Sequence, residues 1–593
     1  MSRDLSAPGA KSSFKREMDA ESLLEIALKE LDKAHQDISR LIRLGETNSK
    51  AYDNLRRQAG GSGSPTPLVA SGELRHTVPT SRYDGANALT FHTKEGNYDE
   101  AYTWAQALYP RLKHNLAFLR AYRDVQAKRG EATESLSLIH QISVLDKKTD
   151  PLAVRKLEGR LREMSGWVPK VPGPRVPVEA RVKGRVLHLV KESRPYLSNG
   201  FTSRSHHNFV AELQSGLEPI VVTEPGFPRV VCGPNFPRHE VLDGVTHVRL
   251  DVGDIDYSDM PNDDFLQMFA QLAYEQVIRY KPSVIHASSG RRGYDTALVG
   301  LALKEKTGIP FVYEVRSFFE GNWTKDIEYE AKGEIFNRRM WVEEMCMNAA
   351  DRILTIGQAM KDELISRGIP SEKIGIIPNA VDSNAFSPKE RSETLDVEYG
   401  LTGYPTFGYV SNMDHYRESH ETLIYAAKEL KERGSEFRCV LVGGGPRRPA
   451  LEQLANRLDV TDRVIFTGSV DHADIPDFYS IIDFFVVPRI AERAAVYVTP
   501  LKPYEAMASG RPVITSDLPA LREITDAPLR GLQFEHGNQY QLADVLQSLS
   551  ADPQETARLV DEALKWVRNE RDWDGNGRRY VEEFEHVIDG ASK

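Results

Sequence analysis

The sequence predicts an α/β protein in which two Rossmann-like, doubly wound domains follow an all-α N-terminal region. From residue 185 onward, short apolar strands alternate with helices, which is typical of a parallel sheet with helices on both faces. The same alternation starts again at residue 406. Four prolines between residues 168 and 182 exclude a helix there and separate this part of the chain from a purely helical pattern before it.

The composition is that of a globular protein rather than of a nucleic-acid-binding or disulfide-stabilised one. The chain has 593 residues, enough for several domains, and its net charge of −10 gives no support for binding nucleic acid. Its three cysteines, Cys232, Cys346 and Cys439, are too far apart for a zinc site or a disulfide framework. We therefore expect buried, reduced thiols.

The distribution of apolar residues indicates where in the cell the protein is expected. No run of about 18 apolar residues occurs, so no segment is expected to span a membrane. The first 17 residues lack the apolar core of a secretory signal. We therefore expect a cytoplasmic protein whose membrane contact is at most peripheral, at the inner face.

Residues 1–59 are predicted to hold a disordered start and a coiled-coil-like helix. Apolar residues occupy heptad a and d positions for under three heptads: Leu24, Ala27, Leu31, Ala34, Ile38 and Leu41. Either a dimerisation helix or a helix packed on its own chain would give this pattern, and Gly45 weakens it. The Gly-, Ser- and Pro-rich stretch at 60–67 predicts a flexible linker over residues 60–85.

Residues 86–166 are predicted to form a helical region with a weak internal repeat. Gly96 and Gly130 stand 34 residues apart, and at the same offset Ala101, Ala105 and Leu108 match Ser135, Ile139 and Ile142. This period resembles that of tetratricopeptide helix pairs. The region is either a platform that docks a partner or a helical spacer. Residues 167–182 are predicted to be a stiff, extended connector.

Residues 183–385 and 386–572 are the two predicted Rossmann-like domains. In the first, strands are predicted at 186–190, 220–223, 246–250, 284–287, 311–315 and 352–356, with helices at about 205–216, 262–280, 294–307 and 326–349. In the second, strands are predicted at 406–410, 438–442, 464–466, 484–487 and 512–515, with helices near 418–434, 447–458, 474–480, 501–509 and 538–550. A last helix, over residues 573–593, begins at Trp573.

The stretch at 485–523 has the arrangement of a ligand site. A strand ends at Pro488, a loop carries Arg489, Glu492 and Arg493, and Lys502 leads into a short helix. Three cations before a helix N-terminus favour an anion. Glu505, one turn further, cannot bind an anion but suits a sugar diol, which offers two hydroxyl donors. A nucleotide sugar has both groups.

The segment YEAMASGRPVI at 504–514 resembles the donor-site signature of family-4 retaining glycosyltransferases, which have the GT-B fold. The resemblance implies that Glu505 holds the ribose of the nucleotide and that the last helix crosses back to brace the first domain. It also implies that 183–385 is the acceptor domain and 386–572 the donor domain. Tyr497 stands where the family pattern has a second glutamate, and the VTPLKP segment at 498–503, which includes Thr499, is similar to a known subgroup.

Other donor-site candidates follow from the same resemblance. Asn412 occupies the position of a usual arginine, and Arg417 lies near that of a usual lysine, so Arg489, Arg493 and Lys502 are expected to supply the missing charge to a diphosphate. The glycines around Gly444 let backbone approach the nucleotide end, or form a plain turn. The segment at 466–470 resembles the one that touches the base.

In the first domain, the loop at 195–204 resembles the family loop that borders the donor phosphates and the acceptor. Gly200 permits close approach of a ligand to the backbone, and the helix after it begins at the cleft. Asn199 and Arg204 are the acceptor-side candidates. Arg204 is either an anion clamp or a surface cation.

Three residues at strand ends are catalytic candidates. His286 could contact substrate or be a hydrogen-bonded histidine at a strand end. Arg316 stays protonated, so it cannot be a general base, but it could stabilise charge on the diphosphate. Glu314 or Glu320 could orient this arginine or the acceptor hydroxyl, although a structural salt bridge would explain them equally. The YEVR form at 313–316 resembles a subgroup linked to bacterial exopolysaccharide assembly.

The sequence thus predicts a retaining glycosyltransferase that moves a hexose-type sugar from a nucleotide-diphosphate sugar to a glycan or lipid-linked acceptor in cell-surface polysaccharide synthesis. No Asp-x-Asp motif stands beside a cleft strand end, so we expect neither metal nor cofactor. A protein partner or a second copy could bind the N-terminal helices. The alternatives are a non-catalytic scaffold that binds nucleotide sugar and a sugar-nucleotide epimerase.

Overall fold

The computed structural model describes residues 82–178, 181–253, 255, 260–321, 324 and 326–591. The predicted coiled-coil helix and the Gly- and Ser-rich stretch at 60–67 lie outside these residues. None of the described helices combines the length and apolarity needed to cross a bilayer.

The first part of the described chain consists of five helices. They are α1 (Arg82–Lys94), α2 (Tyr98–Leu112), α3 (Leu116–Arg129), α4 (Ala132–Leu145) and α5 (Pro151–Glu163). The helical region therefore begins inside the predicted linker. The six matched repeat positions of α2 and α4 are all buried. Gly96 and Gly130, which precede these two helices, both have a positive φ, of 81° and 79°.

Residues 164–178 contain no helix or strand, as predicted for the proline-rich connector. This segment lies against the first domain, because the Lys306 ammonium donates to the carbonyls of Pro172 (2.6 Å) and Pro174 (2.7 Å). The connector is therefore held in place by a buried cation.

The first lobe is an eight-stranded sheet with helices on both faces. Its elements are β1 (Val182–Val190), α6 (Gly200–Gln214), β2 (Glu218–Thr223), α7 (Arg229–Cys232), β3 (His239–Leu242), β4 (Val245–Arg249), α8 (Asn262–Tyr280), β5 (Pro282–Ser288), α9 (Asp295–Thr307), β6 (Phe311–Glu314), α10 (Ile327–Glu330), α11 (Glu334–Ala349), β7 (Arg352–Thr355), α12 (Gln358–Ser366) and β8 (Ile374–Ile376). The strand order is β3-β4-β2-β1-β5-β6-β7-β8, and every pair except β3 with β4 is parallel.

The second lobe is a six-stranded parallel sheet. Its elements are α13 (Glu393–Glu398), β9 (Thr406–Val410), α14 (His420–Glu432), β10 (Arg438–Val442), α15 (Arg448–Arg457), β11 (Val464–Gly468), α16 (Ile475–Ser480), β12 (Phe484–Val487), α17 (Arg493–Tyr497), α18 (Lys502–Ala508), β13 (Val513–Ser516), α19 (Pro519–Thr525), β14 (Leu532–Phe534), α20 (Gln539–Ala551), α21 (Pro553–Glu570) and α22 (Trp573–Ala591). The strand order is β11-β10-β9-β12-β13-β14.

The final helix, α22, leaves the second lobe and packs on the first. Tyr580, Phe584 and Val587 join the apolar core beneath the first sheet. Contact with α6 is close, since a Cβ on Gly577 would lie 2.2 Å from the carbonyl oxygen of Ala211. The expected crossing of the last helix is therefore present, and it ties the lobes together.

Several local expectations differ from the structure. The predicted helix at 326–349 is divided into α10 and α11 at Gly333, where a Cβ would lie 2.5 Å from the Arg129 carbonyl oxygen of the helical region. Helix α21 was not predicted, although Asp552 caps it and Pro553 starts it. Cys232, expected to be buried, is exposed on the short helix α7, whereas Cys346 and Cys439 are buried.

Candidate functional site

A cavity of about 500 Å³ lies between the lobes, at the carboxyl ends of the strands of both sheets. The first lobe lines it with Ser198, Asn199, Gly200, Phe201, Arg204, Ser289, Arg316, Ser317, Phe319, Ile356 and Asn379. The second lobe lines it with Tyr409, Ser411, Asn412, Arg417, Glu418, Arg489, Val498, Thr499, Pro500, Leu501 and Lys502. Five of these side chains are cationic, and Glu418 is the one carboxylate among these lining residues.

The N-terminus of α6 opens on this cavity. Asn199 caps the helix: its Oδ1 accepts from the Thr202 amide at 2.9 Å, and the Thr202 hydroxyl accepts from the Asn199 amide at 3.0 Å. Gly200 starts the helix close to the opposite lobe, since a Cβ there would lie 3.8 Å from Leu501. The helix dipole and the free amides of the first turn therefore favour an anion at the cavity.

Arg316 follows β6 and reaches the cavity from the first lobe. Its guanidinium donates to the Ser205 hydroxyl (2.7 Å) and the Phe201 carbonyl (3.1 Å), and it lies 3.9 Å from the centre of the Phe201 ring. Among the described residues, no carboxylate lies within ion-pair distance of it. Burial and the nearby Arg204 lower the pKa of Arg316 to about 9, so it is still charged at neutral pH.

Arg204 lies beside Arg316 but has a counterion. Its Nη1 is 2.7 Å from Oε1 of Glu314, and its Nη2 donates to the Ile377 carbonyl at 2.7 Å. Burial opposes ionisation of Glu314, but Arg204 and Arg316 lower the pKa of Glu314 to about 2. Glu314 and the Ile377 carbonyl thus hold the Arg204 guanidinium beside the cavity, as an anion clamp requires.

Glu314 and His286, two of the predicted catalytic residues, do not line the cavity. Both are buried at 1% exposure. Glu314 also accepts from the hydroxyls of Ser288 and Tyr580, each at 3.3 Å. Burial lowers the pKa of His286 to about 3, and its Nδ1 lies 2.9 Å from Nδ1 of His188. The structure gives these residues partners inside the protein, as in the salt-bridge and strand-end interpretations.

The second lobe contributes cations that are paired with carboxylates. Arg489 donates from Nε and Nη2 to the two oxygens of Glu418, at 3.1 and 2.9 Å. Arg417 lies 3.4 Å from the same carboxylate. Lys502, at the start of α18, is 3.8 Å from Glu505. Burial lowers and Glu418 raises the pKa of the Arg489 guanidinium, with a net rise.

Three predicted donor residues lie away from the lining. Arg493 crosses to the first lobe, where its Nη2 contacts Glu320 (3.1 Å) and Glu363 (2.8 Å). Glu505 accepts from the Tyr479 hydroxyl at 2.8 Å. A Cβ on Gly444 would lie 2.4 Å from the Ser469 hydroxyl.

The glycines around Gly444 lie in close contact with other parts of the protein. Gly443 has φ +140°, and a Cβ there would lie 2.1 Å from the Ser411 carbonyl oxygen. The Gly444 carbonyl accepts from the Met413 amide at 2.7 Å. Backbone of the loop after β9 lies against Gly443, and Ser469, which follows β11, lies against Gly444.

Several lining residues were not singled out from the sequence. Asn379, in the turn that closes the first lobe, donates across the cavity to the carbonyl (2.7 Å) and hydroxyl (3.2 Å) of Thr499. Phe201, Phe319 and Glu418 complete the walls. Position after a strand end was the available signal for Phe319, whereas Glu418 fell inside a predicted helix that in fact begins two residues later.

Tyr497, where the sequence resemblance leads one to expect a glutamate, packs between the lobes. Tyr497, at the end of α17, makes an edge contact with Phe318 of the first lobe at 5.5 Å between ring centres. The Arg493 guanidinium lies 5.5 Å from the Tyr497 ring. This position therefore forms part of the contact between the lobes.

Comparisons with known proteins match both lobes to glycosyltransferase families. Residues 218–385 match the model described as Glycosyltransferase Family 4, and residues 404–552 match the one described as Glycosyl transferases group 1. Curated relatives include alpha-D-kanosaminyltransferase of Streptomyces kanamyceticus, 26% identical over 38% of this chain and 57% of the relative. A GDP-mannose-dependent alpha-(1-6)-phosphatidylinositol monomannoside mannosyltransferase of Mycobacterium tuberculosis is 26% identical over 38% of this chain and 60% of its own length.

Solved structures share the fold at low sequence identity. Sucrose-phosphate synthase from Thermosynechococcus elongatus has a TM-score of 0.56 and 20% identity, covering 69% of this chain and all of that one. HepE from Anabaena, solved with UDP, has a TM-score of 0.53 and 17% identity, covering 68% of this chain and all of that one. The first curated relatives are matched over less than two thirds of their length. The two lobes therefore have the GT-B fold, and residues 218–385 and 404–552 each match a glycosyltransferase family model.

Proposed function

We propose that this protein is a retaining glycosyltransferase that moves a hexose from a nucleotide-diphosphate sugar to a glycan or lipid-linked acceptor in cell-surface polysaccharide synthesis. One observation carries the proposal. Arg316 presents a buried positive charge that has no carboxylate within ion-pair distance in the part of the chain that the structure describes. It lies at the cavity where α6 begins and where Arg204, Arg489 and Lys502 converge. A diphosphate is an anion that suits such a site.

The same charges explain how the reaction would proceed. The bond between the anomeric carbon and a diphosphate oxygen breaks, and its electron pair leaves with the diphosphate. Fixed guanidinium groups and the first-turn amides of α6 stabilise the charge that develops on this leaving group. The acceptor oxygen bonds to the anomeric carbon on the same face, and its proton passes to the departing diphosphate.

No carboxylate base is needed for that step. Glu314 is engaged by Arg204 and has a pKa of about 2, and His286 is buried with a pKa of about 3. Neither lines the cavity, so neither is placed to take the acceptor proton. Glu418 does line it, but both of its oxygens accept from Arg489. This supports transfer of the acceptor proton directly to the departing diphosphate, which is the route to retention that we propose.

The names of relatives support the substrate classes. One relative uses GDP-mannose and acts on a phosphatidylinositol monomannoside. HepE was solved with UDP-glucose, and a sulfoquinovosyl transferase of Arabidopsis thaliana is 25% identical over 68% of this chain. These names fit a nucleotide sugar as donor and a glycan or glycolipid as acceptor. With such an acceptor, the enzyme would work in the cytoplasm at the inner face of the membrane.

Melting temperature and turnover together test the proposal. A ligand at 100 times its Kd stabilises the folded state by about 2.7 kcal/mol, so UDP, GDP and ADP sugars can be screened by thermal shift. The best donor is then assayed for transfer with Lys502→Met, which lines the cavity, and with Lys389→Met, which removes an exposed lysine paired with Asp477 in the same lobe.

We expect Lys502→Met to lose donor binding and turnover, and Lys389→Met to keep both. Binding without transfer or donor hydrolysis would favour the scaffold alternative. A released sugar nucleotide with inverted sugar stereochemistry would favour the epimerase. If no nucleotide sugar raises the melting temperature, the proposal is wrong.

A further inference from the structure

Beneath the cavity, four buried titratable side chains form a chain of contacts that ends at Arg204. The links from Glu212 to His286 have hydrogen-bond geometry, and those from His286 through Glu314 to Arg204 are ion-pair contacts. Nε2 of His188 lies 2.9 Å from Oε2 of Glu212, and the Nδ1 atoms of His188 and His286 lie 2.9 Å apart. Nε2 of His286 lies 3.5 Å from Oε2 of Glu314. The other oxygen of Glu314 is 2.7 Å from Arg204. The chain thus runs from the interior to a cavity-lining cation.

The contact between the two Nδ1 atoms limits the chain to one of two directions of hydrogen bonding. Only one hydrogen fits between them, so one histidine donates and the other accepts. If Glu212 is ionised and both rings are neutral, His188 donates to it from Nε2 and accepts from His286 at Nδ1. The Nε2 lone pair of His286 then faces the ionised Glu314, which is repulsive.

A proton on Glu212 removes this conflict. Its hydroxyl then donates to Nε2 of His188, Nδ1–H of His188 donates to His286, and Nε2–H of His286 is directed at Glu314. Every contact in the chain then pairs a donor with an acceptor. Two other arrangements, with Glu212 ionised and either His188 or His286 doubly protonated, also pair them, but each places two more charges in the interior.

Two observations favour the neutral Glu212. Its side chain is fully buried, and its second oxygen, Oε1, has no hydrogen-bond partner among the described residues. An ionised carboxylate in that state is costly. Burial also raises the pKa of Glu212, against the opposing effect of His188, and burial lowers the pKa of His286 to about 3.

We infer that Glu212 is a positioning residue that carries a proton at neutral pH and, through His188 and His286, holds Glu314 as the counterion of Arg204. The other charged or titratable groups around the chain are Arg316, His247 and the Tyr580 hydroxyl. With Glu212 neutral, Arg204, Arg316 and Glu314 leave one net positive charge beside the cavity. The link to ligand binding rests on the proposed function, whereas the protonation pattern does not.

The protonation pattern is tested in the unliganded full chain. Nitrogen-15 NMR of labelled histidines is expected to show His188 protonated at Nδ1 and His286 at Nε2. The infrared spectrum is expected to contain a band of a protonated carboxylic acid that disappears in Glu212→Gln. A His286 proton on Nδ1, a doubly protonated His286, or no such band would each overturn the inference.

Two variants of similar side-chain volume distinguish the hydrogen-bond donor of Glu212 from its contribution to packing. In Glu212→Gln the amide N–H can donate to His188, so both histidine tautomers are expected to persist. Glu212→Met keeps the volume but has no donor, so the tautomers are expected to reverse or mix. If both variants give the same histidine spectra as the wild type, Glu212 does not set the pattern.

Affinity for UDP, GDP and ADP then tests the consequence for Arg204. We expect Glu212→Gln to stay within about twofold of the wild type and Glu212→Met to bind about tenfold more weakly, which corresponds to 1.4 kcal/mol. Equal affinity of the two variants, with the expected difference in tautomers, would refute the link to Arg204. Absence of nucleotide binding in every protein, with the tautomers as expected, would instead refute the proposed function.

Discussion

Replacing Arg316 by methionine separates a ligand-binding cation from a structural one. The side chain is buried, yet among the described residues it makes hydrogen bonds only to the Ser205 hydroxyl and the Phe201 carbonyl. Burial is the main cause that lowers its pKa, to about 9. The charged form is therefore disfavoured by folding, and this cost is fully present at pH 7, which is below the pKa in both the folded and the unfolded protein.

The two expected effects have opposite signs. A hydrogen bond to a charged group contributes about 1.5–3 kcal/mol, so the affinity for a nucleoside diphosphate should fall about 10- to 150-fold in Arg316→Met. Stability should stay equal or rise, since methionine fills a similar volume and removes the desolvated charge. Glu314 keeps Arg204 as its counterion at 2.7 Å.

Arg367→Met is the matched control. Arg367 is also buried in the first lobe, but its guanidinium is paired with Glu320 (2.6 Å) and Glu363 (3.1 Å), and it does not line the cavity. Breaking such a buried pair costs about 3–5 kcal/mol. This variant should therefore lose stability and keep its intrinsic affinity for the diphosphate.

Calorimetric titration with UDP, GDP and ADP, together with urea unfolding, measures both quantities. Arg316→Lys is expected to recover part of the affinity, because it restores the charge without the planar fork. If Arg316→Met binds as tightly as the wild type, or unfolds as easily as the Arg367 variant, Arg316 is a structural cation and the reasoning fails.

Four further predictions follow. Glu314→Gln should cost about 3–5 kcal/mol in urea unfolding by leaving Arg204 unpaired, and the wild type's advantage should vanish as pH falls from about 4.3 toward the Glu314 pKa of about 2. Gly443→Ala, where a Cβ would meet backbone at 2.1 Å, should lower the melting temperature far more than Gly368→Ala, which has φ +87° but open space. Arg493→Met should increase the radius of gyration in small-angle scattering with little loss of diphosphate affinity, whereas a large loss would make it a donor ligand. Transfer should persist in EDTA, because side-chain cations serve the diphosphate; its abolition would show a required metal.

The position of the site was predictable because it depends on strand direction. In a parallel sheet all carboxyl ends lie at one edge, so residues that follow apolar strands collect there wherever the helices run. Arg316 after β6 and Arg489 after β12 were found in this way, and both line the cavity. Asn199 and Gly200 were predictable because a cap and a glycine mark the start of α6.

Side-chain partners were less predictable, since they depend on elements distant in sequence. Arg493 and Lys502 look alike in the sequence, as cations in one charged loop. The structure turns Arg493 toward Glu320 and Glu363 of the other lobe, while Lys502 stays at the cavity. The sequence offers no local signal for that difference. Likewise, His286 contacts His188 through its Nδ1 atom, and His188 is almost a hundred residues away in the sequence.

The pairing of the cavity cations explains how they can be both rigid and available. Arg204 and Arg489 each have a buried carboxylate that fixes the guanidinium, and in doing so each loses most of its net attraction for an anion. Among the described residues, the Arg316 guanidinium donates hydrogen bonds to neutral groups and has no carboxylate within ion-pair distance, so Glu314 offsets its charge only from further away. A diphosphate that enters the cavity would supply a counterion for Arg316. Arg204 and Arg489 therefore fix the geometry of the site. Arg316, which has no carboxylate within ion-pair distance among the described residues, gives the site its affinity for an anion.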